Sequence, residues 1–399
     1  MKEGWEEKKL KEIAKYRRGS FPQPYGNKDW YDGEDSMPFI QVAELQEDSF
    51  NLVPVTKRRI SKIAQPLSVF VPAGTVLVSL QGSIGKVAIT DYDSYVDRTI
   101  AIFQDYKIKI DKTFFAYQLK IRFEIERLKA RGTTIKTITK EEFANFIINC
   151  PPLSEQQSIV DYLDSAFAKI DAMKANSEKA LNEAKALFQK VLEDTMASKE
   201  GWEDKPLGDL CDIFGRIGFR GYTTKDLVQS PFDGAISLSP SNIQDGKMDY
   251  SKLTYISWFK YEESPEIKIF NGDILLVKTG SSYGKSALVQ GLPHEATINP
   301  QSVVLKNCKI DNAFFAYQLR TNRVLDEFNR FVSGTAIPTF SQAKLSTVSI
   351  QYPTNEKQQS IVDTLDSLKS KVDRLQENYD KISQECDALK QAILRQVFE

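Results

Sequence analysis

The sequence predicts an α+β protein in which two globular α/β domains are joined by two long antiparallel coiled-coil helices, with an internal pseudo-twofold duplication. Two observations carry this prediction. The chain repeats itself with a period of about 200 residues, far longer than the repeat of a solenoid. Each repeat ends in a stretch that lacks Pro and is rich in Ala, Leu, Lys, Glu and Gln, which is typical of a long helix. A chain of 399 residues has room for two or three domains.

The duplication is visible in three segments that recur in the same order. They are GWEEKKLKEI at 4–13 and GWEDKPLGDL at 201–210, FFAYQL at 114–119 and again at 314–319, and QQSIVDYLDS at 156–165 and QQSIVDTLDS at 358–367. We therefore expect two copies of a module that consists of a domain and a helix.

Composition changes once within each repeat. The segments 1–150 and 200–354 contain Gly, Pro, aromatic residues and short β-rich runs such as GTVLVSL, so we expect two globular domains there. The segments 151–199 and 355–399 are expected to be the helices. More acidic than basic residues lie in these helical segments, so a polyanionic ligand would have to bind to the globular domains.

The helical segments carry apolar residues at alternating spacings of four and three, at matching positions in the two repeats. This is the pattern of a coiled coil, and each helix is the natural partner of the other. The predicted helix–helix seam comprises Ile159, Leu163, Ile170, Met173, Leu187, Val191, Ile361, Leu365, Val372, Leu375, Leu389 and Ile393.

Residue usage argues against several classes of protein. The single histidine, His294, lies in one repeat only, which lowers the expectation of acid–base catalysis or of a zinc site. Four cysteines lie far apart without a CxxC pair, so neither a disulfide framework nor a metal site is expected. Without a long apolar run or an apolar segment near Met1, we expect a cytoplasmic protein.

One motif imitates a nucleotide-binding loop. GSSYGKS at 280–286 has three residues between Gly280 and Gly284, whereas the P-loop pattern needs four. The first repeat encloses two residues between Gly82 and Gly85. We interpret these segments as tight loops that present Lys86 and Lys285 to an anion, and not as an ATP site.

A formal net charge of −1 requires any contact with nucleic acid to come from local basic clusters. Lys and Arg beside Gly-Ser and Gly-Thr turns suit phosphate contacts, because amides and hydroxyls approach the backbone closely there. The candidate DNA-binding residues are Arg17, Arg18, Lys57, Arg58, Arg59, Ser83, Lys86, Gly132, Thr133, Thr134 and Lys136 in the first repeat, and Arg216, Arg220, Lys278, Ser281, Ser282, Lys285, Gly334 and Thr335 in the second.

The order of these features resembles the specificity subunit of type I restriction–modification systems over essentially the whole chain. The resemblance rests on a Gly-Trp start, a variable middle, a GS-GK loop, FFAYQL, a Gly-Thr loop and a Pro-led helix with QQSIVD, all present twice. It implies two target-recognition domains, each of which reads one half of a bipartite site in double-stranded DNA. The middles at 21–73 and 217–271 share little sequence, as expected if the half-sites differ.

The resemblance also implies partners. The helices would space the two domains and dock two methyltransferase subunits, with restriction subunits in the same complex. The chain itself would have no catalytic residue and no cofactor, since S-adenosylmethionine would be bound by the methyltransferase subunits.

Three alternatives remain open at this point. A stand-alone DNA-binding regulator with duplicated domains would bind its site without partners. A coiled-coil interaction protein would not bind DNA, and charge reversal at Lys86 and Lys285 would then have no effect. A nucleotide-dependent enzyme would bind ATP.

Overall fold

The computed structural model of the chain describes residues 4–47, 49–129, 138–216, 218–332 and 338–398. Its internal contacts divide the chain into two units. Unit 1 comprises Met1–Ser177 and Asp380–Glu399, and unit 2 comprises Glu178–Tyr379. Each unit thus contains one globular domain, the first part of one long helix and the last part of another. The predicted division into four segments, with boundaries at 150, 199 and 354, stays a prediction.

Unit 1 is an α+β unit of short strands and a few helices. Its strands and helices are β1 (Glu6–Lys9), α1 (Leu10–Ile13), β2 (Ala14–Arg18), β3 (Met37–Ile40), β4 (Arg59–Ile60), β5 (Val69–Val71), β6 (Val76–Ser79), β7 (Val87–Ile89), β8 (Ser94–Val96), β9 (Ile100–Tyr106), α2 (Lys112–Lys129), α3 (Lys140–Ala144), β10 (Ile147–Cys150) and α4 (Leu153–Met196).

Three sheets form the domain of unit 1. Their strand orders are β2-β9-β6-β7, β4-β3-β8-β5 and β1-β10. All pairs are antiparallel except β3 with β8. The strand β6 is buried at all four positions, because β-branched and Leu side chains on its two faces pack into different apolar clusters.

Unit 2 repeats this plan. Its strands and helices are β11 (Glu203–Pro206), α5 (Leu207–Leu210), β12 (Asp212–Gly215), β13 (Leu227–Val228), β14 (Gly234–Leu238), β15 (Ile243–Gln244), β16 (Lys247–Met248), β17 (Tyr255–Ser257), α6 (Trp258–Glu262), β18 (Lys268–Ile269), β19 (Ile274–Val277), β20 (Ser286–Leu288), β21 (Ala296–Ile298), β22 (Ser302–Lys306), α7 (Asn312–Gln318), α8 (Asn322–Phe331), α9 (Gln342–Leu345), β23 (Ser349–Tyr352) and α10 (Asn355–Phe398).

The sheets of unit 2 correspond to those of unit 1. The orders are β12-β22-β19-β20, β13-β17-β14-β21-β18, β11-β23 and β15-β16. The single parallel pair is β14 with β21, in the place that β3 with β8 has in unit 1. The duplication predicted from three sequence motifs therefore extends to strand order and direction.

The two long helices, α4 and α10, each span 44 residues, or about 66 Å at 1.5 Å per residue. They pack antiparallel within each unit. In unit 1, Lys390 bonds to Asp171 over 2.5 Å and Lys174 bonds to Asp387 over 3.2 Å, so the numbering rises on one helix as it falls on the other. The predicted antiparallel helix pair is confirmed.

Most of the predicted seam residues are buried or half-buried. Leu163 and Leu365 have no exposed surface, while Ile170 and Val372 are buried. The remaining half-buried members are Ile159, Val191, Ile361 and Ile393.

Four predicted seam residues need correction, because their side chains face solvent. They are Met173, Leu187, Leu375 and Leu389, with 59%, 62%, 40% and 48% of their surface exposed. The seam instead passes through the following residue each time. There Phe188 is buried, while Lys174, Gln376 and Lys390 make bonds from one helix to the other. At three of these four positions the seam residue is polar, which an apolar pattern cannot detect.

Each long helix is attached to its domain by one buried glutamine. The amide of Gln156 accepts from the Asp111 backbone N–H over 2.9 Å and donates to the Pro151 carbonyl over 2.9 Å. Gln358 makes the same two bonds, to Asp311 and Pro353. The recurrence of QQSIVD thus has a structural cause.

Within the described part of the chain, no helix is long and apolar enough to cross a membrane. The same residues contain no group of three or more His, Cys, Asp or Glu side chains that could hold a metal ion.

Candidate nucleic-acid interface

In unit 1 the ends of three neighbouring strands meet at one edge of the β2-β9-β6-β7 sheet. Arg18, the last residue of β2, pairs with Ala101, and Ser79, the last residue of β6, pairs with Ile100. Since β9 begins at this point, the segments 17–20, 79–86 and 97–100 lie together. We call them the unit 1 edge.

Three predicted DNA-binding cations of unit 1 are available for a ligand. Arg17 and Arg18 at the unit 1 edge and Lys57 in the loop before β4 are exposed. Among the described residues, none offers an acceptor within hydrogen-bond distance of their charged groups. Ser83, also exposed, lies in the turn after β6. These are the features that a phosphate backbone requires.

Three other predicted cations of unit 1 already have partners. The Lys86 amine donates to the Leu45 carbonyl over 3.1 Å. The Arg59 guanidinium donates from Nε to the Ser36 hydroxyl over 3.0 Å. Arg58 stacks on Tyr31, with its guanidinium carbon 4.5 Å from the ring centroid. These contacts fix the direction of each side chain, although Arg58 and Arg59 stay exposed.

Unit 2 has the same edge, built from the ends of β12 and β19 and the start of β22. Val277 pairs with Ser302, and the Lys278 amide donates to the Gln301 carbonyl over 2.8 Å. A small cavity of about 200 Å³ opens here between three turns. It is lined by Ser239, Pro240, Ser241, Thr279, Gly280, Ser281, Ser282 and Gln301.

Hydroxyls and one amide group therefore dominate this unit 2 edge. Such groups hydrogen-bond to base edges and to phosphate oxygens. Ser281 and Ser282 are residues that the sequence predicted for DNA contact, whereas Ser239, Ser241 and Gln301 were missed. Gln301 could have been identified by aligning the two repeats, because it directly precedes β22 as Thr99 directly precedes β9.

Lys278 directly precedes Thr279, which lines this cavity. Its side chain is half-buried, burial lowers the pKa of its amine, and no acceptor for the amine lies among the described residues. A charged amine that has lost water without gaining a partner is costly, and a bound phosphate would offset that cost. Lys285, on the same turn, is exposed.

Arg216 has a different role from the one that its sequence cluster indicates. It is 6% exposed and donates to the Ile298 carbonyl over 3.2 Å and to the Thr297 hydroxyl over 3.1 Å. A third bond reaches the backbone carbonyl of Arg220. The guanidinium of Arg220 pairs with Glu266 over 3.4 Å. Arg216 thus holds the segment after β12 against β21, and burial lowers its pKa.

The Gly-Thr loops predicted for DNA contact, Gly132, Thr133, Thr134, Lys136, Gly334 and Thr335, lie outside the described residues. The chain that follows the second loop reaches the unit 2 edge. There the Gly280 amide donates to the Pro338 carbonyl over 2.9 Å, and the Thr279 and Thr339 hydroxyls are 2.8 Å apart.

The described residues define a protein built from a duplicated α+β module, with one polar edge in each unit. Residues 2–183 and 199–384 match the family model of the type I restriction modification DNA specificity domain. The match includes both repeats and most of the chain. The chain therefore belongs to the family of type I restriction–modification DNA specificity subunits, which recognise DNA and have no catalytic activity of their own.

Similar proteins support this assignment. The specificity subunit of type I restriction enzyme MjaVIII from Methanocaldococcus jannaschii is 24% identical over 388 residues, which is 92% of this chain and 86% of that protein. The EcoKI specificity subunit from Escherichia coli strain K12 is 25% identical over 293 residues, or 68% of this chain and 61% of that protein.

Solved structures show the same fold. A chain from a study of complex assembly and conformational transition of the type I R-M system superposes with a TM-score of 0.75 at 18% identity, covering 100% of this chain and 98% of that one. The HsdS subunit from Thermoanaerobacter tengcongensis gives 0.52 at 17% identity, with coverage of 100% and 97%.

Proposed function

We propose that each unit reads one half of a bipartite DNA site through its edge, that α4 and α10 set the distance between the half-sites, and that two methyltransferase subunits bind the helices. The observation that carries the proposal is the recurrence of one edge in both units with different chemistry. The unit 1 edge offers arginines, whereas the unit 2 edge offers hydroxyls beside Lys278 and Lys285.

The cations without partners contact phosphates in this proposal. Arg17, Arg18, Lys57, Lys278 and Lys285 position the duplex and supply most of the salt-dependent affinity. Base reading falls to the hydroxyl and amide groups of the edges, foremost Ser281 and Ser282. A reader in the major groove distinguishes all four base pairs, which a restriction site requires.

Docking of two methyltransferase subunits is supported by four of the apolar residues that α4 and α10 leave exposed. Met173 and Leu375 occupy equivalent positions in the two repeats, as do Leu187 and Leu389. Two equivalent apolar patches suit two copies of one partner. These partners would carry S-adenosylmethionine and flip the target adenine, since methylation of a base requires its removal from the stack. Restriction subunits would join the same complex.

The first test is a base-resolution map of N6-methyladenine in the native host, with and without this gene. We expect the deletion to abolish methylation at one motif of two parts separated by a fixed gap. An unchanged map in a host with an active system would contradict the proposal and favour a stand-alone DNA-binding regulator.

The second test assigns the unit 2 edge to DNA, with duplexes that carry the mapped motif. Lys278→Gln should weaken binding by the assembled methyltransferase and reduce the slope of log affinity against log salt concentration by about one. Lys371→Gln, which removes an exposed cation from the middle of α10, is the matched control and should change neither quantity. Equal effects of the two variants would show that Lys278 contributes only general charge.

A further inference from the structure

Unit 2 contains a cavity of about 530 Å³ that is separate from its edge. It lies between the β15–β16 hairpin, helix α7 and the middle of α10. Its walls include Leu288, Ala316 and the ring of Tyr317 on one side, and Lys369 and Asp373 on the other. A volume of this size is in the range of sites for small ligands.

In unit 1 the same place is filled by two aromatic side chains. The rings of Phe50 and Phe167 lie with centroids 4.6 and 5.8 Å from that of Tyr117, the counterpart of Tyr317. The Lys120 amine lies 5.7 Å from the Phe50 ring centroid. Unit 1 therefore shows that this space accepts flat rings packed against the tyrosine that both repeats share.

Two sequence differences open the space in unit 2. Phe167 is replaced by Lys369 at the equivalent helix position. The loop that carries Phe50 is replaced by a tight hairpin turn at Asp245 and Gly246, which have φ values of 48° and 77°. A two-residue turn with positive φ at both positions is the favoured hairpin connection, and it leaves no side chain to fill the cavity.

The cavity also has an unbalanced positive charge. Asp373 pairs with both Lys369, over 2.9 Å, and Lys247, so one carboxylate serves two ammonium groups. Asp366 accepts the Tyr317 hydroxyl over 2.6 Å. Arg374 and Glu377 also line the cavity, so four cationic side chains face three carboxylates there.

Arg320 makes no ion pair or side-chain hydrogen bond with the described residues, although the charges of Asp245 and Asp373 act to raise its pKa. Its guanidinium carbon lies 5.7 Å from the Tyr317 ring centroid, and the Gly246 backbone packs so closely that a side chain there would collide with it. No hydrogen-bond acceptor for the guanidinium lies among the described residues, and burial lowers its pKa. An arginine in this state is suited to a bidentate bond with a carboxylate or phosphate.

We propose that this cavity binds a small organic anion that carries an aromatic ring, with the anionic group on Arg320 and the ring against Tyr317. The ring takes the place that Phe50 and Phe167 fill in unit 1. The wall of this cavity contains no residue of the unit 2 edge, although Arg320 also lines a neighbouring cavity that contains Lys285.

The test is calorimetric titration of the full chain with AMP, which has both features of the ligand. Adenosine, which lacks the anion, and inorganic phosphate, which lacks the ring, should each bind at least roughly tenfold more weakly. Arg320→Gln and Lys369→Phe should each weaken AMP binding by about tenfold or more, the first by removing the charge and the second by filling the cavity. Thermal melting of each variant checks that it folds.

Two variants serve as controls that should keep full AMP binding. Lys120→Gln changes the counterpart of Arg320 in unit 1, where Phe50 fills the space, and Lys278→Gln changes the unit 2 edge. Absence of AMP binding up to about 1 mM would overturn the proposal, as would equal binding of inorganic phosphate. It would also be overturned if Lys369→Phe prevented methyltransferase assembly while AMP failed to bind, since a partner side chain would then be the occupant.

Discussion

Tyr117 donates its hydroxyl hydrogen to the carboxylate of Asp164 over 2.6 Å. The tyrosine belongs to the FFAYQL motif and the aspartate to the QQSIVDYLDS segment near the start of α4. Tyr317 and Asp366 make the same bond, also over 2.6 Å. The two strongest sequence repeats are therefore the two sides of one joint between domain and helix, and their recurrence reflects attachment of the helix and not contact with DNA.

The first prediction concerns this joint. Tyr117→Phe and Tyr317→Phe should each lower the free energy of unfolding by about 1 kcal/mol, the usual net value of a hydrogen bond that involves a charged acceptor still reached by water. Urea unfolding followed by circular dichroism measures the change. Tyr162→Phe, at an exposed position of α4, is the control. A loss equal to that of the control would show that the bond contributes nothing.

The second prediction concerns the buried glutamines that attach the helices. Gln156→Leu leaves the Asp111 amide and the Pro151 carbonyl without their partner, so we expect a loss of about 1–3 kcal/mol. Hydrogen exchange of the Asp111 amide should accelerate before the rest of unit 1 unfolds. Gln157→Leu changes the exposed neighbour and should leave that amide protected. Unchanged exchange at Asp111 in Gln156→Leu would refute the attachment.

The third prediction distinguishes the observed seam from the one that the apolar pattern indicates. Phe188→Ala removes a buried side chain and should cost about 3–5 kcal/mol, whereas Leu187→Ala should stay within about 0.5 kcal/mol. Thermal unfolding of the two variants provides the comparison. A larger loss for Leu187→Ala would restore the seam predicted from the sequence.

These cases show which features the sequence could predict. Internal repetition predicted the duplication, the fold class and the antiparallel helices, because each repeat must bury the same apolar surfaces. Local pattern was less informative where a polar residue enters a seam, as at Lys174, or where a basic residue is internal, as Arg216 is. Hydrogen-bond partners decide such positions, and those partners come from distant segments such as Ile298 and Asp387.

The cavity of unit 2 is a second feature that repetition alone concealed. The FFAYQL motif that supplies Ala316 and Tyr317 to its wall is the same in both units. The space is opened by the replacement of Phe167 by Lys369 and by the shorter hairpin. Two repeats whose sequences align well can therefore differ in whether side chains fill the equivalent space in each unit.

The fourth prediction concerns Gly19, which the sequence places in a basic turn suited to phosphate. A Cβ atom at this position would lie 2.1 Å from the Val96 carbonyl oxygen, a backbone atom that cannot move aside. Gly19→Ala should therefore destabilise unit 1 by about 1–3 kcal/mol, the usual cost of overpacking. Gly26→Ala is the matched control, because no atom lies within 4 Å of a Cβ there. Thermal melting compares the two variants, and equal melting temperatures would mean that the strand end is free to shift.

The fifth prediction tests whether the helices set the distance between half-sites. Inserting four residues into the middle of both α4 and α10 adds about one turn, or about 6 Å, to each. The insertions match, so the antiparallel pairing is preserved. The gap in the methylated motif should lengthen by roughly one base pair or more, since base pairs along B-DNA are spaced by about 3.4 Å. Methylation mapping in the native host gives the gap directly. Glu178→Gln, which changes an exposed residue of the same helix without lengthening it, should keep the original gap. If the lengthened protein methylates the original motif with its gap unchanged, the helices do not determine the spacing.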